Sequence, residues 1–439
     1  SSGERFFYEE DEDEILSMES NRSLSEFEVI LFSLTYELDY INLLRLMIKS
    51  EIEIFGDRRT RLFPILIGGG AALTINPAPL LKILDFIFLG NADKEFSKII
   101  EIINRKDYRD KLDLYNKLKD IPGIIPGEHI KKIKALNISY SVPEKPVHSA
   151  IITPNAELKN MFLIETARGC PYNCSFCSVQ KITGKYKKFP AEAVVSVLEK
   201  HKGKFEKVGL VSSAVLENNE IKKIFMYGIE NNLTMNTSSL RLDLLDAVNL
   251  ELLLKAGNRT LTLAIESGDE NLRFESGKQV SDEKIFSIFK NAVNTGFRSF
   301  KFYLIIGMPG ETDEHLKNTI RFFSELRNSV EIKALRMNLS INPFIAKPGT
   351  KWEKGEFINS TEMKRKFNIL NKSLKKLGYS CQIENLNEAE LQYLFANSNS
   401  EIIYPVIEKL NESYSVILKE VKNYAKDHRL SIDHNISNT

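Results

Sequence analysis

Three of the chain's four cysteines stand within eight residues, in Arg168-Gly169-Cys170-Pro171-Tyr172-Asn173-Cys174-Ser175-Phe176-Cys177. This C-x3-C-x2-C run follows the apolar stretch Met161-Phe162-Leu163-Ile164, so the ligand loop is expected at the end of a buried strand. Thiolates are soft ligands suited to iron–sulfur clusters or to zinc. A structural zinc site wants four ligands, usually from two paired knuckles. Here there are three, and no His or fourth Cys lies close in sequence. A cubane held by three cysteines keeps one iron open, as a cluster that binds a substrate requires. The residues by themselves leave zinc, or a reduced structural cysteine cluster, as the alternative.

With the aromatic Phe176 ahead of its last cysteine, the run resembles the signature of the radical S-adenosylmethionine (SAM) superfamily. The resemblance implies a [4Fe–4S] cluster on Cys170, Cys174 and Cys177, whose open iron chelates the amino and carboxylate groups of SAM. One electron from the reduced cluster then cleaves the sulfonium to methionine and a 5′-deoxyadenosyl radical, which abstracts an unactivated hydrogen. The cofactors carry that chemistry, while the protein positions them and excludes water. A reductant such as flavodoxin or ferredoxin is implied as partner.

Downstream the chain alternates short apolar runs with helical segments. Strands are predicted over 162–165, 208–212, 234–238, 261–266, 300–306 and 334–341, and helices over 191–200, 244–255, 282–294 and 314–326. Six such units fit the superfamily's open six-stranded (β/α) barrel rather than a closed eight-unit one. The fold class is thus α/β, with the barrel over 158–355. Active-site groups in parallel barrels sit at the carboxyl ends of strands. Ser212 and Ser213 end the second strand, where the family's SAM amino-binding motif lies, but without its acidic residue. Ser239 and Arg241 follow the third strand, and Glu266 and Arg273 the fourth, in an E-S-G block like that of methylthiotransferase-like and cobalamin-linked branches. The resemblance makes Glu266 an acceptor for an ammonium or ribose, and Arg241 or Arg273 a holder of the methionyl carboxylate. Each has a barrel-rim salt bridge as its plain structural alternative. At Gly307-Met308-Pro309-Gly310-Glu311-Thr312, the backbone turn at Gly307 and Met308 matches the family's adenine-binding strand end. Phe176 completes the SAM-binding set. The catalytic candidates are Cys381, the one uncommitted thiol, and Tyr303.

Ahead of the barrel, Val29-Ile30-Leu31-Phe32-Ser33-Leu34, the helical spacing of 40–49, Phe63-Pro64-Ile65-Leu66-Ile67 and Phe86-Ile87-Phe88-Leu89 predict a parallel sheet with crossover helices over 1–110. The acidic run 9–14 reads as a solvated turn. Gly68-Gly69-Gly70 at a strand end lets a backbone approach a ligand, or makes a tight turn under a helix. With Ser33 to Tyr40 and Asn76-Pro77-Ala78-Pro79-Leu80, the pattern resembles the Rossmann-like cobalamin-binding domain upstream of many radical SAM domains. The resemblance implies cobalamin contacts from Ser33, Leu34, Thr35, Tyr36, Glu37, Gly68, Gly69, Gly70, Asn76 and Pro77. No D-x-H-x-x-G occurs, so no histidine is placed as lower axial ligand, and the stretch before the first strand is short for a full domain. The rival reading is a vestigial domain that caps the barrel.

Residues 111–157 read as a linker punctuated by Pro and Gly, and 356–439 as a mostly helical extension with a strand at 379–383. No second cysteine cluster follows, which argues against an auxiliary centre and a methylthiotransferase. The formal net charge of +1 leaves no footprint for nucleic acid, and Lys185, Lys187 and Lys188 read as a solvated face. No apolar run is long enough for a membrane span and no signal peptide is visible, so a cytoplasmic protein is expected. The implied reaction is cobalamin-dependent methyl transfer to an unactivated carbon or a phosphorus centre of an unknown substrate. The alternatives are cobalamin-independent radical rearrangement, oxidation or ring contraction, and a non-catalytic iron–sulfur regulatory protein.

Overall fold

The computed structural model describes residues 4–6, 15–132, 136–332 and 334–428, so the acidic run 9–14 lies outside the described residues. Two compact units divide the chain: one takes 143–346 and 350–386, the other the residues before 143, 347–349 and those from 387 onward.

The N-terminal unit runs β1 (Val29–Ser33), α1 (Asp39–Lys49), β2 (Ile65–Gly69), α2 (Ala71–Ile75), β3 (Phe86–Phe88), α3 (Phe96–Arg105), α4 (Lys111–Leu118) and β4 (Ile124–Pro126). The sheet order is β1-β2-β3-β4, parallel except for the last pair. Alternation of side chains sorts the faces. Ile65, Ile67, Phe86 and Phe88 pack with Ile99, Ile103, Leu114 and Leu118 of α3 and α4. Leu66 and Ile87 pack on the opposite side with Tyr40, Leu43, Leu44 and Met47 of α1. Helix α4 starts at Lys111, where the Asp110 carboxylate caps it, accepting from the Asp113 N–H at 2.8 Å.

The boundaries at 111 and 356 need correcting. The first part of the expected linker supplies α4 and β4 to the N-terminal unit. The expected tail splits: residues 360–383 join the barrel unit, while Leu391, Phe395, Ile402, Ile403, Val406, Ile417 and Val421 cover the α1 face of the N-terminal sheet. An amphipathic helix needs an apolar partner, and this face, covered by α1 and the short α2, has room for one. The Asn76 amide fixes the contact by donating to the Phe395 and Ser398 carbonyls at 3.0 and 2.8 Å.

The barrel unit runs β5 (Met161–Glu165), α5 (Ala191–Lys200), β6 (Lys207–Val211), α6 (Ile221–Glu230), β7 (Thr234–Thr237), α7 (Ala247–Lys255), β8 (Thr260–Glu266), α8 (Glu270–Glu275), α9 (Asp282–Thr295), β9 (Ser299–Ile306), α10 (Asp313–Asn328), β10 (Arg336–Pro343), α11 (Ser360–Lys376) and β11 (Tyr379–Ile383). Two all-parallel ladders, β5-β6-β7 and β8-β9-β10-β11, meet at Leu240, whose N–H donates to the Thr262 carbonyl at 2.8 Å. The six expected units are joined by β11 as a seventh strand, and among the described residues no ladder connects β11 back to β5. On β9, Phe300, Phe302, Leu304 and Ile306 are buried under the helices, with Phe289 of α9 and Phe323 of α10 at 4.7 and 5.5 Å ring separation. Each such phenyl contributes roughly 1.5–3 kcal/mol on burial. The alternate residues Lys301, Tyr303 and Ile305 face the concave side, as do Met161, Leu163 and Glu165 on β5. No helix among the described residues is long and apolar enough to cross a membrane.

Candidate active site

The cysteine loop leaves β5 at its carboxyl end and closes through a Cys177 N–H to Cys174 carbonyl bond of 3.1 Å. Its far side is braced by the 275–278 turn. The Ser175 N–H donates to the Ser276 carbonyl at 2.9 Å, and the Ser175 hydroxyl donates to the Glu275 carbonyl at 2.7 Å. Gly277, at φ +94°, is required twice over: a Cβ there would be strained and would stand 2.8 Å from Cys174 Cα. Cys174 is buried, its Sγ 3.9 Å from the Gly277 carbonyl oxygen and 3.8 Å from Arg241 Nη1. Burial pushes the Cys170 and Cys177 thiols up, opposed by the nearby Lys278 charge and, at Cys170, by Arg241. Among the described residues no three His, Cys, Asp or Glu side chains group closely enough for a single ion. A cubane distributes its thiolates over different irons. Three thiols on one loop, with Arg241 and Lys278 to offset their charge, fit a [4Fe–4S] cluster.

Arg241 is held rather than free. Its Nε and Nη2 meet the Asp243 carboxylate at 3.0 and 2.9 Å, and its guanidinium lies 3.3 Å from the Tyr172 ring centroid. The Tyr172 hydroxyl in turn donates to Glu217. Only Nη1 is left to face Cys174. Arg273 is fully buried and saturated, donating to the Val280 and Ser267 carbonyls at 2.8 and 3.0 Å and pairing with Asp282. That removes it as a carboxylate holder: it ties α8 to the start of α9. Gly307 N–H donates to the buried Glu311 carboxylate at 2.9 Å, and Glu311 also pairs with Lys366 at 2.8 Å, so this amide is not open to a base edge. Met308 is buried. Cys381 pairs in register with Leu339, on the helix side of the sheet, where burial raises its thiol to about 11. Of the two catalytic candidates, only Tyr303 faces the concave side.

Glu266 ends β8 on a bulge at φ +64°, a conformation costly for a side chain with a Cβ and one that clusters at functional sites. Its carboxylate, buried, pairs with Lys278 at 3.1 Å. Lys278→Met should therefore strand a charge beside the cysteines and cost about 3 kcal/mol. The Lys278→Met/Glu266→Gln double variant should recover most of it. Additive losses in urea unfolding would refute the pairing.

A cavity of about 530 Å³ opens beside the loop, lined by Met161, Leu163, Gly169, Gly209, Val211 and Ser213 among others. Ser212 also lines it, but its hydroxyl accepts from the Ala214 N–H at 3.2 Å. Ser213 and Ser239 are exposed, and Phe176 is half-buried in the loop. Glu165 and Arg168 close one wall as a bidentate pair of 2.7 and 2.8 Å. Sequence reasoning passed over Tyr172, Asp243, Lys278 and Lys301. Only Tyr172, inside the motif, carried a local signal.

In the N-terminal unit, Ser33 and Thr35 are exposed at the carboxyl ends of β1 and β2, beside Gly69. Tyr36 is half-buried, and Pro77 is buried in the turn after α2. Gly68 and Gly70 answer to internal packing: a Cβ would stand 2.4 Å from Leu84 Cδ1 and 2.3 Å from the Leu34 carbonyl oxygen. Glu37, buried, binds Lys347 and the Gln392 amide, and Asn76 holds the tail, so both are already committed.

Two family models match: "Radical SAM proteins, N-terminal" over residues 4–126 and "Radical SAM superfamily" over 164–323. An uncharacterised protein of Methanocaldococcus jannaschii is 27% identical over 396 residues, covering 88% of this chain and 81% of its own. Among solved structures, the radical SAM methyltransferase TsrM from Kitasatospora setae, with cobalamin and a [4Fe–4S] cluster bound, aligns at TM-score 0.55 and 16% identity over 74% of this chain. OxsB, a cobalamin-dependent SAM radical enzyme with aqua-cobalamin and SAM bound, aligns at TM-score 0.51 and 14% identity over 92% of this chain. This chain spans 63% of each of those two proteins, just under two thirds of their length. The cysteine loop, the strand-end site and the two matched models together establish that the chain belongs to the radical S-adenosylmethionine superfamily and has the fold of its cobalamin-dependent members.

Proposed function

We propose that this radical SAM enzyme is a cobalamin-dependent methyltransferase acting on an unactivated carbon or a phosphorus centre. The observation that carries the reading is the pairing, in one chain, of a three-cysteine barrel site with an N-terminal α/β sheet, in a fold that aligns with OxsB over 92% of this chain. Bound cluster and SAM would supply the hydrogen-abstracting radical, and bound cobalamin a methyl carrier. The chain's own part is to hold the cluster on Cys170, Cys174 and Cys177 and to set Glu266 at the β8 end. At the N-terminal sheet, Ser33, Thr35, Tyr36 and the Gly69–Gly70 backbone fit a polar ligand tail at the carboxyl ends of parallel strands. A flavodoxin or ferredoxin would supply the electron.

The internal engagement of Leu34, Glu37 and Asn76 favours a second reading, in which the unit caps the barrel and the radical chemistry is cobalamin-free. The two separate cleanly. Anaerobically reconstituted protein is incubated with hydroxocobalamin, desalted and given SAM and a reductant. Retention of a stoichiometric corrin spectrum, with both 5′-deoxyadenosine and S-adenosylhomocysteine formed, is expected. A corrin-free spectrum with 5′-deoxyadenosine alone would hand the function to the second reading.

A further inference from the structure

The concave side of the barrel unit has two unlike walls. On β5 and β6 it is apolar, formed by Met161, Leu163, Gly209 and Val211. On β8 to β10 the burial alternation turns Thr262, Lys301, Tyr303, Asn338, Ser340 and Asn342 the same way. Register sets them in rows, Thr262–Lys301–Asn338 and Ala264–Tyr303–Ser340. Asparagines elsewhere in this unit bond through their amides, Asn218 and Asn258 twice each. The side chains of Asn338, Ser340 and Asn342 make no hydrogen bond among the described residues.

The charge on this face is also uneven. Lys301 is half-buried, leaning along its strand so that its ammonium sits 4.7 Å from the Tyr303 ring centroid. No carboxylate among the described residues meets it. The strand-end carboxylates Glu165 and Glu266 are each spent on a cation of their own, Arg168 and Lys278. A cation on an aromatic face, flanked by unpaired amides and hydroxyls, is a site for an anionic group. Lys301 stands five residues and Tyr303 three residues before the end of β9 at Ile306, so the ammonium over the Tyr303 ring lies roughly 10 Å below the strand end at about 3.3 Å per residue.

Resting on the radical-enzyme reading above, we propose that the substrate is an elongated amphiphile: its carboxylate or phosphate head is held by Lys301 over Tyr303, with Asn338 and Ser340 beside it. Its apolar body lies along the Met161–Leu163–Val211 wall. The head fixes which carbon reaches the strand ends. The reacting position is then remote from the charge, at an unactivated carbon of the chain.

The test is calorimetric, on the full anaerobically reconstituted chain, with octanoate, octyl phosphate, octanol and octylamine as probes. Octanoate or octyl phosphate should bind at least about tenfold tighter than octanol, the scale of one charge-assisted contact, and octylamine weakest. Whichever anion leads names the head group. Lys301→Gln should erase the preference and Lys301→Arg retain it. Should Lys301→Gln fold poorly, Asn338→Asp, an exposed position, should weaken anion binding by a similar factor through repulsion. Octanol binding as tightly as octanoate, or octanoate affinity surviving in Lys301→Gln, would overturn the proposal. Substrate-free SAM cleavage by the unaltered protein is scored separately. Its absence sinks the radical reading, whereas cleavage without anion preference sinks only the head-group site.

Discussion

Cys174→Ala is expected to lose the iron–sulfur absorption and, with it, all reductive SAM cleavage, while both units stay folded. The side chain removed is small, and a buried thiol packs as a minor hydrophobe, so its deletion costs about 1 kcal/mol of packing. What it removes from the site is larger. Cys174 is the middle cysteine of the loop and a proposed cluster ligand, braced against Gly277 and faced by Arg241 Nη1. Without it Cys170 and Cys177 cannot hold a cubane with a single open iron. Iron per chain after anaerobic reconstitution should fall to background, and 5′-deoxyadenosine under dithionite below detection. Far-ultraviolet circular dichroism should not change. A variant that cleaves SAM at the rate of the parent protein would falsify the cluster assignment. Cys381→Ala is the control with the opposite expectation, because that thiol lies on the helix side of the sheet.

How far the site could be read in the sequence follows from the range of the interactions that build it. The loop cysteines stand out in the sequence because all three sit on one short segment. The strands were legible because the alternation along β9, buried phenylalanines against half-exposed Lys301 and Tyr303, is a local pattern. Helix α5 was likewise readable at both ends, Ala191 and Lys200. Gly277 behind Cys174, by contrast, is a contact across 103 residues, and Glu37 is occupied by partners 310 and 355 residues away. Nothing near Glu37 signals those partners, so a family motif made it a cofactor contact where packing makes it an internal brace. Arg273 misled for the same reason: the motif gave its position, but only burial reveals that its donors are already taken. The tail was legible as amphipathic helix. Which sheet its apolar face would cover was not, since periodicity specifies that a face needs cover and is silent on the cover itself.

Asp85→Asn should be the most damaging single change to the N-terminal unit, at about 3–5 kcal/mol. Asp85 is fully buried at the start of β3. One carboxylate oxygen takes Arg59 at 2.9 Å, Lys111 at 2.8 Å and His129 at 2.9 Å, and the other accepts the Leu66 N–H at 2.9 Å. The chain reserves space for this cluster, since a Cβ on Gly56 or Gly127 would stand 2.1 or 2.7 Å from His129 Cε1. Burial alone would raise the Asp85 carboxyl. The His129 hydrogen bond and the Arg59 and Lys111 charges outweigh it and hold the group at about 2, from an ordinary 3.8. A depressed carboxylate stabilises the fold above its unfolded pKa. Roughly 2 kcal/mol should therefore be present above pH ~4 and lost as pH falls toward about 2. In Asp85→Asn that acid limb disappears, and Arg59 and Lys111 stand as neighbouring buried cations. Burial already lowers the Lys111 ammonium, and losing its counter-charge lowers it further. A group that binds fewer protons folded than unfolded makes stability rise with pH, so the variant should recover part of its loss on the alkaline side. Urea titrations followed by circular dichroism from pH 3 to pH 9 read both slopes. The iron–sulfur band reports the barrel unit independently. A variant whose midpoint matches the parent protein at neutral pH would mean that the cluster merely fills space and does not hold this sheet together.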